Sequence, residues 1–107
     1  MSGLSKLTVL FVEDEEDLRS ALESAIGDEF AKFIVARDGD DGLKKFKKYK
    51  PDIVITDIMM PVMDGLLMAK EIKHISKQTP IVILSENSEK ERLLEAIDVG
   101  IDKYLIK

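Results

Sequence analysis

The feature that most constrains this chain is an alternation of short, continuously apolar runs with segments of helical periodicity. The runs cover residues 7–12, 33–36, 53–56, 81–84 and 104–106, and most are rich in Val and Ile. Continuous rather than alternating apolar character marks strands buried on both faces, as in a parallel sheet between helical layers. Between the runs lie four helix-length segments. Residues 16–26 place Leu18, Leu22, Ala25 and Ile26 on one stripe, and residues 39–48 carry Leu43 and Phe46 among lysines. Residues 66–75 set Leu66, Ala69, Ile72 and Ile75 at helical spacing, and residues 90–99 do the same with Leu93, Leu94 and Ile97. Gly27 and Gly100 follow the first and fourth segments, where a left-handed residue commonly ends a helix. The order is βαβαβαβαβ, which right-handed crossovers wind into an open α/β sheet.

A length of 107 residues suits one domain, here 1–107, with no repeat or linker. The chain is 45% hydrophobic, enough for a core, so wholesale disorder is excluded. Its net charge of -5 argues against a nucleic-acid surface, which needs a clustered basic face. The absence of cysteine excludes disulfides and thiolate metal sites, and suits a reducing compartment. With no membrane-length apolar run and no signal-peptide core at its start, the sequence reads as soluble and cytoplasmic.

In open α/β sheets, function collects outside the carboxyl ends of the strands. The first strand runs into Glu13 and Asp14, the third into Asp57, the fourth into Ser85 and the fifth into Lys107. A parallel sheet brings these groups to one rim. Clustered carboxylates need a cation or a proton between them, and oxygen ligands alone suit Mg²⁺. A lysine and a hydroxyl beside them are suited to a phosphoryl group. Metal, lysine and hydroxyl together equip a site for phosphoryl transfer, with an aspartate as nucleophile.

Four segments in order resemble the response-regulator receiver family, over nearly the whole chain. The most specific is Asp57-Ile58-Met59-Met60-Pro61-Val62-Met63-Asp64-Gly65, close to the family's D-x-x-M-P-x-M-D-G. The others are Leu10-Phe11-Val12-Glu13-Asp14-Glu15, then Ile83-Leu84-Ser85, then the run from Gly100 to Lys107. The resemblance implies a flavodoxin-like, doubly wound parallel sheet of five strands in the order 2-1-3-4-5. It implies Asp57 as phosphoacceptor, and Mg²⁺ held by Asp14, Asp57 and the backbone carbonyl of Met59, with Glu13 acting directly or through water. Ser85 and Lys107 would hold the phosphoryl group. Ser85 and Tyr104 would form the switch that couples phosphorylation to a partner surface. The implied phosphodonor is a histidine kinase or histidine phosphotransfer protein, and the implied output is an effector protein or fused domain. Such a switch modifies itself and is not an enzyme acting on a separate substrate.

Two departures from the family pattern stand out. Glu86 follows Ser85 where a small residue is usual, and it is expected to point outward and alter access of water to the acyl phosphate. Receivers also normally continue past the lysine with a fifth helix, whereas this sequence stops at Lys107. Only the first helix then covers its face of the sheet. The exposed area would be roughly 300 Å², or about 7 kcal/mol at about 25 cal/mol per Å². The expectation is a trimmed sequence, a longer natural chain, or a partner such as a second copy over that face.

Two rivals remain. A Mg²⁺-dependent phosphatase with an aspartyl nucleophile usually needs a second Asp where this chain has Met59. A phosphorylation-independent module of receiver shape typically lacks one of the acidic pair, the acceptor or the lysine, all present here. Glu15, Glu16 and Asp17 read as a solvated helix start. His74, the only histidine, reads as a surface residue, and Met59, Met60, Met63 and Met68 read as core and loop packing.

Overall fold

A computed structural model describes residues 3–58, 60, 62–85 and 99–106, the side chains at 4, 85, 104 and 106 excepted. After a 3-10 turn at Gly3–Lys6 come β1 (Thr8–Val12), α1 (Glu16–Ile26), a second 3-10 turn (Gly27–Glu29) and β2 (Lys32–Ala36). They are followed by α2 (Gly39–Tyr49), β3 (Ile53–Thr56), α3 (Gly65–Ile75), β4 (Ile81–Ser85) and β5 (Lys103–Ile106). The strands form one sheet in the order β2-β1-β3-β4-β5, and every neighbouring pair is parallel. The parallel α/β class expected from the apolar runs is the class observed. The helix expected over residues 90–99 lies outside the described residues, apart from its last position.

Local chemistry sets the helix ends. The Asp38 carboxylate accepts from Asp41 N at 2.8 Å to start α2, and Asp64 accepts from Leu67 N at 2.8 Å to start α3. Asp40 and Asp41 in the first turn of α2, with Lys47 and Lys48 in its last, complement the helix dipole. Helix α2 ends on Lys50 at φ 48, a left-handed cap supplied by a lysine, and Pro51 follows. Gly100 is left-handed as expected, at φ 89, but Gly27 is not. Its φ of -56 is helical, because the chain tightens into the 3-10 turn there instead of reversing.

The main core lies between the sheet and the pair α2 and α3. Leu10, Val12, Val54, Ile81 and Ile83 point from the strands toward Phe46, Leu66, Met68, Ala69 and Ile72, all essentially buried. Ile75, expected on the same stripe, is the last residue of α3 and is 52% exposed. Met68 is buried and Met60 and Met63 pack against this core, in keeping with a packing role.

The other face of the sheet carries Val9 and Phe11, both buried, with the Phe11 and Phe33 rings 6.1 Å apart. The C-terminal end of α1 lies here, since a Cβ on Gly27 would sit 3.8 Å from Phe33. Coverage is partial. Leu18, Leu22 and Ile26 are half-buried, Ala25 is exposed, and α1 has no buried residue. Ile53, Ile55, Val82 and Leu84 are also half-buried, and Leu105 is 40% exposed. The expectation that every strand is buried on both faces therefore holds for β1 and not for β3. A continuous apolar run reports what a strand is able to bury, and the helices over each face decide how much is covered.

Candidate functional site

The parallel register carries the ends of β1, β3, β4 and β5 to one rim. Past β1, Glu13 N donates to Ala36 O at 2.9 Å, which keeps Glu13 in line with the edge strand. Past β3, Asp57 N donates to Val12 O at 3.2 Å, which sets Asp57 beside the same β1 end. For the acids, the outcome is the convergence expected from sequence. Glu13, Asp14 and Asp57 each offer a carboxylate oxygen, and these atoms all lie within 4.8 Å of one another.

The three acids differ in setting. Glu13 is 1% exposed, and its Oε2 accepts from Glu15 N at 3.2 Å. Asp14 is exposed and Asp57 is half-buried. Asp57 Oδ1 accepts from Ile58 N at 2.7 Å, and the buried Thr56 donates its hydroxyl to the Asp57 carbonyl at 2.8 Å. One carboxylate oxygen of Asp57 is thus fixed by protein, and the residue as a whole is only half-buried.

The loop after Asp57 is held by two close approaches that only glycine permits. Gly65 N donates to Ile58 O at 2.8 Å, and a Cβ at Gly65 would lie 1.8 Å from the Asp57 carbonyl oxygen. Gly39 N donates to Met63 O at 3.0 Å, and a Cβ there would lie 2.2 Å from the same oxygen. The loop is thereby pinned both to its own strand and to the start of α2. Between these points Val62 adopts φ 70 and is 83% exposed, an unusual backbone for a β-branched residue.

Other expected site residues are placed only in part. Ser85 ends β4 and pairs with Ile106, and Tyr104 pairs with Ile83, so both backbones lie on β4 and β5 near the rim. Their side chains, together with Met59, Pro61, Glu86 and Lys107, lie outside what the structure describes. Glu15, Glu16, Asp17 and His74 are exposed, as expected.

One residue escaped the sequence reading. Arg19, on α1, reaches back so that its Nη1 donates to Glu13 O at 2.8 Å and to Asp14 O at 3.3 Å. It also lines an open cleft of about 280 Å³ with Val35, Ala36, Arg37, Asp41 and Lys45. The signal available was an arginine one turn into the helix after the acidic pair, which is a weak one.

The donor set suits a hard divalent cation. Three carboxylates gathered this closely repel one another unless positive charge intervenes, and all three donors are oxygens. Among the described residues no helix is long and apolar enough to cross a membrane.

Comparison with known proteins agrees with the geometry. The chain is 32% identical over 99 residues to the chemotaxis protein CheY of Halobacterium salinarum, covering 92% of this chain and 82% of that protein. It is 34% identical over 102 residues to the transcriptional regulatory protein RprY of Bacteroides fragilis, covering 95% of this chain but only 43% of that longer protein. Its backbone matches the crystallised chemotaxis protein CheY4 of Vibrio cholerae with a TM-score of 0.87 and 31% identity, over 95% of this chain and 87% of that one. The family described as the response regulator receiver domain matches residues 9–107. With an acidic cluster at the carboxyl rim of a parallel sheet and a match over nearly its whole length, the chain belongs to the response regulator receiver domain family of two-component signalling.

Proposed function

We propose that this chain is a phosphorylation-controlled switch that takes a phosphoryl group on Asp57 with Mg²⁺ held by Glu13, Asp14 and Asp57. The observation that carries the reading is the meeting of these three carboxylates within 4.8 Å, with Asp57 half-buried and still open to solvent. A carboxylate oxygen of Asp57 attacks the donor phosphorus. The new O–P bond makes an acyl phosphate, and the bond to the donor breaks with its electrons leaving on the donor. When bound, Mg²⁺ supplies neutralisation of charge on the phosphoryl oxygens. The chain's own part is positional. The Ile58 N–H holds Oδ1, Thr56 holds the Asp57 carbonyl, and Gly65, lacking a Cβ, lets the start of α3 lie against that carbonyl.

The finer reading extends to residues supported by sequence alone. The Met59 carbonyl completes the metal ligands, Ser85 and Lys107 receive the phosphoryl oxygens, and Ser85 and Tyr104 relay the change to a partner surface. The architecture is the full doubly wound, flavodoxin-like one. The phosphodonor is a histidine kinase or histidine phosphotransfer protein. The output is a separate effector or a fused domain, in line with relatives that include both CheY and longer transcriptional regulatory proteins. About two added negative charges at the rim drive the switch. The chain acts on itself and turns over no separate substrate.

The test is incubation with acetyl phosphate, with and without Mg²⁺, followed by intact mass. A gain of one phosphoryl group that needs Mg²⁺ and is lost in Asp57→Asn supports the reading. An unmodified wild-type chain overturns it, in favour of a phosphorylation-independent module.

A further inference from the structure

We propose that Arg19 is a positioning residue for the cation site, fixing the two successive peptides that follow Glu13 and Asp14 so that both carboxylates face Asp57. The inference rests on the proposed reading of these three acids as a divalent-cation site. Strand β1 ends at Val12, and the two acids follow in a loop leading to α1. A single amino group, Arg19 Nη1, donates to both successive carbonyls, at 2.8 Å to Glu13 and 3.3 Å to Asp14. The two carbonyls belong to the peptides on either side of Asp14, so one donor fixes the direction of its side chain; with Glu13 N tied to Ala36 O at 2.9 Å, both peptides that flank Glu13 are held as well.

The anchor starts from helical backbone. Arg19 N donates to Glu15 O at 3.0 Å, so the guanidinium starts from the first turn of α1. Glu15 N in turn donates to Glu13 Oε2 at 3.2 Å, closing the loop from the other side. Glu13 is 1% exposed, so its carbonyl needs a protein partner, and Arg19 provides one. Without this tie, repulsion among three carboxylates spreads the loop before a cation arrives. With it, the oxygens are held near one another in advance, which is the usual way affinity is gained without new contacts.

Charge and geometry predict opposite signs, and this makes the inference testable. As a cation beside the site, Arg19 by its charge alone opposes Mg²⁺ binding. As a tie, it promotes it. Arg19→Lys keeps the charge but replaces the planar fork with a flexible point charge, and Arg19→Gln removes the charge. Mg²⁺ is titrated into the 107-residue chain and both variants by calorimetry, with amide NMR shifts at 13, 14 and 57, and thermal melting checks the fold. Positioning predicts that both variants bind Mg²⁺ about tenfold more weakly, in the range found for residues that orient metal ligands. Equal affinity in Arg19→Lys, or tighter binding in Arg19→Gln, overturns it. If Arg19→Gln melts below the titration temperature, Arg19→Lys decides alone. A wild-type chain that fails to bind Mg²⁺ overturns the cation-site reading itself, a result distinct from one confined to the variants.

Discussion

Replacing Gly65 with alanine should damage stability and chemistry together, because one methyl group would meet the backbone of the proposed acceptor. The added Cβ would lie 1.8 Å from the Asp57 carbonyl oxygen and 2.9 Å from its carbon, against an ordinary contact of 3.4–4 Å. That oxygen is backbone and has little freedom to move aside. It accepts from Thr56 Oγ1 at 2.8 Å, and the Asp57 amide is tied to Val12 at 3.2 Å. Either Asp57 shifts by more than about 1 Å, or α3 retreats and loses the bond from Gly65 N to Ile58 O. Overpacking combined with a lost hydrogen bond costs about 3 kcal/mol. For a domain of this size, that lowers the melting temperature by at least about 12 °C. A misplacement near 1 Å at a reacting group slows the chemistry by about 100-fold. Urea unfolding measures the first effect, and the time course of Asp57 phosphorylation by acetyl phosphate measures the second. Gly100→Ala is the control. Its Cβ meets nothing within 4 Å among the described residues, so only the left-handed φ of 89 is penalised, at about 1 kcal/mol, with phosphorylation unchanged. A Gly65→Ala chain that unfolds and phosphorylates like wild type would refute this reasoning.

Two further outcomes are expected. Val62→Asn should raise stability by about 1 kcal/mol in urea unfolding, since Asn tolerates the left-handed φ of 70 and the 83% exposed valine gives up little packing; no gain would show that the backbone there is not strained. Burial pushes the Asp102 carboxyl up, but the Ile81 N–H and the Lys73 ammonium outweigh it and hold it below the usual carboxylate range. A lowered folded value stabilises the fold above the unfolded pKa of about 3.9, and this contribution fades as pH falls through the folded value. The stability gap between wild type and Asp102→Asn should therefore narrow from pH about 5 to pH about 2, and a constant gap would contradict it.

The elements were legible because each rests on a local pattern. Runs of Val and Ile gave strands within one or two residues of those observed, and helical spacing placed α1, α2 and α3. The meeting of Glu13, Asp14 and Asp57 was legible for a topological reason, since parallel strands must end on one rim. What escaped depends on three-dimensional approach. A lysine at φ 48 ends α2 because the following Pro51 cannot continue it, whereas Gly27 is free to be left-handed but is not required to be. The partial exposure of Ile53 and Ile55 depends on which helices lie over them, and strand composition does not record that. Arg19 folds back onto carbonyls five and six residues earlier, a contact with no periodic signature. The caps at Asp38 and Asp64 are written in the sequence as acids directly before Gly39 and Gly65.

The most direct measurement locates the phosphoryl group. The chain is treated with acetyl phosphate and Mg²⁺, reduced with borohydride to convert an aspartyl phosphate to homoserine, then digested and sequenced by mass spectrometry. Homoserine at position 57, absent when Mg²⁺ is withheld, is the expected result. Homoserine at any other position, or a phosphoryl group carried by His74, would contradict the account.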